Sequence, residues 1–595
     1  MKDFFKFTLA TVTGLILTGI IIFLIGLVTL FGIISSSTSS GETEVKKNSI
    51  MMLNLNGTLK EHIQRQDLAE IMRFLNQDET NTYGLDDILA SIKKAKENTN
   101  IKGIYIKAGS LNTSYASIEA IRNALLDFKK SGKFIITYSD NYTQGLYYLS
   151  SVADKVILNP KGMLEWYGLS TSTVYYTNML KKVGIEMQIF KVGTYKSAVE
   201  TFTSTKMSPA NREQLTACLG SIWGQVVSDV SKSRHIAPQK LNELADKMLM
   251  FYPSEESVKC GLADTLIYQN DVRDYIKKKM DIDKDDHLNI LGLDDMINIK
   301  KNVPKDKSGN ILAIYYASGD ITDQPSSSIS DDGIVGSTMV KDLRRLKEDK
   351  NVKAVVLRIN SPGGSAFASE QIWHAIKELK EKKPVIVSMG DYAASGGYYI
   401  SCIADTIIAE PNTITGSIGI FGMIPNISGL TQKIGVNFDE VKTNKFSRFG
   451  NITRPLTEEE KALFQMNINE NYETFIDRCA EGRHKTADAI KKIAQGHIWS
   501  GTTAKKLGLV DMIGGMNLAV NVAAQKAGIK NYTTISYPKP ESLLTTLTKE
   551  APDNYIKAHL LKNQLGSFYD EFMLLNNIKN RNTIQARLPF GLNIK

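Results

Sequence analysis

From Leu9 to Ile34 the chain is apolar or small at almost every position and carries no charge. This run of about 25 residues predicts a helix long enough to span a bilayer. It passes into Ser35-Ser36-Ser37-Thr38-Ser39-Ser40-Gly41 without an A-x-A cleavage pattern, so it reads as a retained anchor rather than a removed leader. Lys2 and Lys6 precede it with only Asp3 opposing, whereas Glu42 and Glu44 come before Lys46 and Lys47 on the far side. That balance favours a cytoplasmic N-terminus, with the remaining ~550 residues outside the cytoplasm.

Beyond the anchor, short β-branched runs alternate with amphipathic helical periodicity, and the alternation occurs twice. Asn100-Ile-Lys-Gly-Ile-Tyr-Ile-Lys107 parallels Asn351-Val-Lys-Ala-Val-Val-Leu-Arg358, and Ser139 to Ser150 parallels Gly390 to Ser401. Further on, Val192-Gly-Thr-Tyr-Lys196 parallels Val441-Lys-Thr-Asn-Lys445, and Val258 to Asp264 parallels Lys505 to Asp511. Strands alternating with helices imply parallel sheets with right-handed crossovers. The expected plan is an anchor and cytoplasmic stub over 1–40, α/β repeats over 48–300 and 308–540, and an extension over 541–595. Polar Asp281 to Asn310 is the candidate linker, and the extension carries helical periodicity around Tyr555 to Asn576.

Composition narrows the function classes. A chain of 595 residues is too long for one core. The net charge of +9 is spread along it, with no basic stripe interleaved with aromatics, so nucleic acid is not an expected partner. Cys218, Cys260, Cys402 and Cys479 form no CxxC pair, and the alignment sets Cys260 opposite Leu507; they read as packed thiols. No Walker loop, HExxH or Rossmann fingerprint occurs, and no metal or organic cofactor is expected.

The second repeat carries the chemistry. Asn360-Ser-Pro-Gly-Gly-Ser365 follows a strand and precedes a helix, where backbone N–H groups can face an open site. In Ala394-Ser395-Gly396-Gly397 a serine sits between small residues at a strand-to-helix turn, a position that exposes Oγ. The first repeat has Leu111 and Asn112 in place of the diglycine and Gln144 in place of the serine. A serine needs a base, and His374, on the helix after the diglycine, reads as a solvated or packed residue. A desolvated lysine can serve, because only a neutral amine accepts the proton; spacing alone does not say which lysine.

These segments, with Val192 to Glu200 and Thr415-Gly-Ser-Ile-Gly-Ile420, resemble the bacterial signal peptide peptidases of the long, tandemly duplicated type, over nearly everything after the anchor. The resemblance implies tandem ClpP/crotonase-like α/β domains with a dyad completed across the repeats. It implies Ser395 as nucleophile, Lys196 as general base and Ser417 as the serine orienting the lysine. Gly364 and Gly396 would supply oxyanion N–H groups, with Gly363 shaping the turn. It also implies cleaved signal peptides as substrates and a homotetramer at the cytoplasmic membrane. Two other readings stand beside it: an acyl-CoA enzyme on the crotonase scaffold, whose glycine N–H groups would bind a thioester enolate, and a non-catalytic membrane scaffold.

Overall fold

The β-branched runs of both repeats form the centres of two largely parallel sheets. The computed structural model describes residues 2–38, 42–63, 81–299, 306, 308–324, 333–539, 584–588 and 594. The helical periodicity around Tyr555 to Asn576 lies outside the described residues. At the front, one helix runs Lys2–Thr38; its window Lys6–Gly26 has a mean hydropathy of 2.4 and buries nothing against the rest of the protein. It is long and apolar enough to cross a membrane.

In the first sheet the order is Thr82–Gly84, Ser49–Lys60, Ile101–Asn112, Phe134–Tyr142, Lys155–Leu164, Thr265–Leu266, all parallel. The second sheet centres on Ile311–Ser318, Val352–Ser361 and Val385–Ala394 in the same sense. Val352–Ser361 is buried at almost every position, as expected of a parallel strand with both faces covered. The proposed linker is partly structured: Asn289–Leu291 joins the first sheet beside Ser49–Lys60 and Leu293–Asn298 is a helix. Leu288, Leu291, Met296 and Ile299 supply the apolar anchors that outweigh the polar composition around them.

A third, mixed sheet, absent from the α/β plan expected of two separate repeats, draws strands from both. It runs Ile334–Val335, Ile321–Thr322, Gly363–Ser365, Ile584–Arg587, Phe421–Asn426, Glu186–Lys191. Glu186–Lys191 belongs to the first repeat and pairs antiparallel with Phe421–Asn426 of the second, Lys191 opposite Phe421. The repeats are therefore joined by backbone hydrogen bonds as well as by packing.

Polar side chains complete the joint. Glu61, at the end of the first-repeat strand, receives Arg358 Nε and Nη2 at 2.8 and 3.1 Å, and both side chains are buried. Asp391 accepts from the Ser117 N–H at 3.0 Å and Oγ at 2.6 Å at the start of a first-repeat helix. Removing one partner of a buried ion pair strands the other charge. Glu61→Ala is expected to lower unfolding stability by about 3–5 kcal/mol, and Glu61→Ala with Arg358→Met to recover most of it, measured by chemical denaturation. An unchanged denaturation midpoint in the single variant would contradict the role given to this pair.

Candidate active site

Ser395 follows the strand Val385–Ala394 and caps the helix Gly396–Ser401 with φ 55° and ψ −113°. A residue with a side chain rarely adopts that conformation, which costs roughly 1–3 kcal/mol. It is held by the Ser395 N–H donating to the Gly416 carbonyl and by Tyr399 N–H donating to the Ser395 carbonyl, each at 2.8 Å. In the first repeat, Gln144 simply begins the helix Gln144–Ser150, without a positive φ. Its amide oxygen accepts from the N–H groups of Tyr167 and Gly168 at 2.8 and 2.9 Å, and its nitrogen donates to Tyr115 Oη and the Gly168 carbonyl. The strain is present only where the hydroxyl is.

Lys196 arrives from the other repeat. The strand Glu186–Lys191 delivers it, because its pairing partner Phe421–Asn426 begins just after Ser417. The Lys196 side chain is 1% exposed. Its Nζ lies 2.7 Å from Ser395 Oγ, 3.1 Å from Ser417 Oγ and 3.1 Å from the Ser417 carbonyl oxygen. All three partners are uncharged, and burial alone holds the amine well below the ordinary lysine range. Gly496 makes the approach possible, since a Cβ there would stand 2.6 Å from the Lys196 nitrogen. The corresponding Lys445 is exposed and pairs with Glu459. His374 is also exposed, 3.3 Å from Glu378.

Gly363, Gly364 and Gly396 converge beside Ser395. A Cβ on Gly364 would stand 2.1 Å from the Ile321 carbonyl oxygen, and one on Gly363 would stand 2.8 Å from the Gly396 nitrogen. Backbone occupies the space any side chain would need there.

Several supports were not legible in the motifs. Gln214, on the helix Pro209–Arg234, donates to the Tyr195 carbonyl and Ser197 Oγ at 3.1 Å and accepts from the Ile498 N–H at 3.2 Å. It thereby ties the lysine loop to the second repeat. The segment 495–497 grips both loops: Tyr195 N–H donates to the Gln495 carbonyl at 2.9 Å, and Ser417 N–H to that of His497 at 2.7 Å. One glutamine on a long helix gives no sequence signal of this kind. Among the cysteines, Cys218, Cys402 and Cys479 are buried and Cys260 is partly exposed.

Comparison with known proteins gives a consistent result. The model of peptidase family S49 matches residues 127–283 and 377–530, and that of Clp protease matches 327–414. Protease 4 of Haemophilus influenzae is 35% identical over 531 residues, covering 86% of this chain and 85% of the relative. Protease 4 of Salmonella typhi is 36% identical over 493 residues, covering 82% and 78%. The chloroplastic serine protease SPPA of Arabidopsis thaliana is 31% identical over 507 residues, covering 84% and 73%.

The buried amine has a thermodynamic consequence. An unfolded lysine titrates near about 10.4, whereas the folded Lys196 amine releases its proton at lower pH. Between those two values the unfolded state binds the extra proton, so wild-type stability falls as pH falls through that window. Lys196→Met lacks this loss and is expected to be more stable than wild type at neutral pH. Its advantage should shrink as pH is raised toward 10, as read by denaturation at several pH values. A pH-independent difference would contradict the depressed amine.

Proposed function

Because this chain belongs to peptidase family S49, with ClpP-like folds in tandem, and is a serine protease, we propose that Ser395 is its nucleophile and Lys196 the base that activates it. The observation that carries this reading is the 2.7 Å contact between a buried amine and a strained serine hydroxyl. Family membership removes the acyl-CoA and scaffold readings.

A neutral amine has two N–H donors and one lone pair. The Ser417 carbonyl can only accept and takes one N–H; Ser417 Oγ takes the other. The lone pair is left facing Ser395. As Oγ attacks a peptide carbonyl, its proton passes to Lys196, and the N–H groups of Gly364 and Gly396 stabilise the developing oxyanion. Gly363 shapes the turn that presents them. The protonated amine then gives its proton to the leaving nitrogen, and the same amine activates the water that hydrolyses the ester.

The apolar helix and the Protease 4 relatives fit a membrane-associated protein. The finer reading is a single-pass protein of the cytoplasmic membrane with its catalytic body on the extracytoplasmic side, taking cleaved signal peptides and other apolar peptides that reach it along the bilayer. Assembly as a homotetramer completes the proposal. Ile434, Val436, Phe438, Val441 and Phe446 stand exposed on one segment, a grouping expected of a surface that another subunit covers.

Ser395→Ala and Lys196→Ala are each expected to lower hydrolysis of an apolar peptide ester by about 10³-fold or more, with unchanged circular dichroism. In the wild type, kcat/KM should rise with pH to a plateau reached below the ordinary lysine range, since the neutral amine is the active form. Full activity in either variant would refute the dyad.

A further inference from the structure

The contact between Lys196 and Ser395 closes a path whose other side is a stack of three rings. Lys196 hangs from the loop 192–196, between the strand Glu186–Lys191 and the helical turn Ser197–Val199, and belongs to neither. The residue before it, Tyr195, sets its ring 4.4 Å from that of His497, tilted by 51°. His497 in turn lies flat against Trp499, with centroids 3.7 Å apart and planes 10° from parallel. Trp499 covers Gly416, where a Cβ would stand 2.7 Å from the indole Cδ1. Gly416 is the residue whose carbonyl receives the Ser395 N–H. The rings therefore run from the backbone that holds the serine to the backbone that carries the lysine.

Each ring is pinned in its own way. Trp499 lies on the strand Ile498–Ser500, opposite Thr415, and its Nε1–H donates to the Ile493 carbonyl at 3.0 Å. His497 is 9% exposed, with Nδ1 2.7 Å from the Ile498 carbonyl oxygen. A carbonyl only accepts, so Nδ1 carries the hydrogen and the edge of the ring is fixed. Burial holds the imidazole below the ordinary histidine range, against the pull of the Ile498 carbonyl and Glu213, and so favours the uncharged ring. Tyr195 Oη donates to Glu213 Oε2 at 3.3 Å, on the helix Pro209–Arg234. Stacked and tilted rings attract one another beyond the area they bury.

The repeats separate this stack from the turn that bears it. The match of Val258 to Asp264 with Lys505 to Asp511, carried back along the chain, sets Met248 opposite Gln495 and Met250 opposite His497. The left-handed turn is kept in both, with φ 53° at Met248 and 54° at Gln495. Leu249 and Met250 stand in place of Gly496 and His497, and Phe251 and Tyr252 are exposed where Ile498 and Trp499 pack. The turn needs no histidine. The ring is present only in the repeat that meets the buried lysine.

We infer that His497 is a positioning residue for the proposed dyad: its ring, wedged between Tyr195 and Trp499, sets where Lys196 Nζ stands relative to Ser395 Oγ. This rests on the dyad reading above. The proton that leaves Oγ goes to Nζ and then to the leaving nitrogen, and His497 neither gives nor takes it. The ring acts through Tyr195, holding the loop so that the amine keeps Ser395 Oγ, Ser417 Oγ and the Ser417 carbonyl as partners. A loop freed from the stack lets the amine withdraw into water, where it holds its proton more tightly.

The test measures peptide-ester hydrolysis by the full-length protein in detergent micelles across pH, for wild type, His497→Leu, Tyr195→Leu, the double variant, His497→Phe and Ser395→Ala, with denaturation in parallel. Each leucine variant is expected to lower kcat by about 10- to 100-fold with KM changed less than about threefold, and to move the rising limb of the pH profile to higher pH. The double variant should lose no more than the worse single one, because both break the same stack. His497→Phe, which keeps a ring, should recover most of the lost kcat. If His497→Leu does not fold, Tyr195→Leu, altered at a half-buried residue of the loop, decides by its own kcat and limb. A folded leucine variant with the wild-type kcat and limb, a loss carried in KM alone, losses that multiply in the double variant, or no recovery in His497→Phe overturns the positioning role. With Ser395→Ala inactive, any of these leaves the dyad standing. Wild-type hydrolysis by Ser395→Ala overturns the dyad reading and the role of His497 with it.

Discussion

An amine without a countercharge, shut away from water against a serine hydroxyl, is the contact on which the rest of this architecture depends. A charged lysine in that position would forfeit its hydration for three neutral partners, so the site favours the form that can accept a proton. The amine and the hydroxyl come from different repeats, and small errors in how the repeats meet would separate them. Most inter-repeat structure works against such errors. The Glu186–Lys191 and Phe421–Asn426 pairing, the Glu61 to Arg358 ion pair and the Gln214 bridge each fix one repeat to the other near the site.

Duplication explains why this division of labour arose on so regular a frame. Asp264 accepts from Val156 N–H and pairs with Arg234; Asp511 accepts from Ile407 N–H and pairs with Arg483. Tyr147 Oη donates to the Leu262 carbonyl, and Tyr398 Oη to that of Leu509. The helices Pro209–Arg234 and Glu458–Arg483 both close on a left-handed histidine, His235 and His484. Structural contacts are thus kept in duplicate, while the parts to which the proposal gives the chemistry are kept once each: the buried lysine in the first repeat, the strained serine and the glycines in the second.

Much of this was legible before any coordinates. Ser395, Gly363, Gly364 and Gly396 stand out because a small-residue turn after a β-branched strand has few structural uses, and because the sister repeat lacks it. Lys196 was legible only through family resemblance, since desolvation is a property of the fold and no local pattern marks one lysine among many. The mixed sheet was hidden for a related reason: Glu186–Lys191 reads as a strand of its own repeat, and nothing in its alternation says that its partner lies in the other. Ile584–Arg587 is too short to announce itself. Three of its partners, Gly363, Gly364 and Gly422, are glycines, which leave little complementary side-chain pattern to find.

The most direct measurement of the central claim is the titration of the Lys196 amine itself, by ¹⁵N-lysine NMR of the protein with Lys196→Met as the assignment reference. One amine signal, missing from the variant, is predicted to lose its proton well below the ordinary lysine range near about 10.4. If every lysine amine in the folded protein titrates in that ordinary range, the neutral-amine account is contradicted.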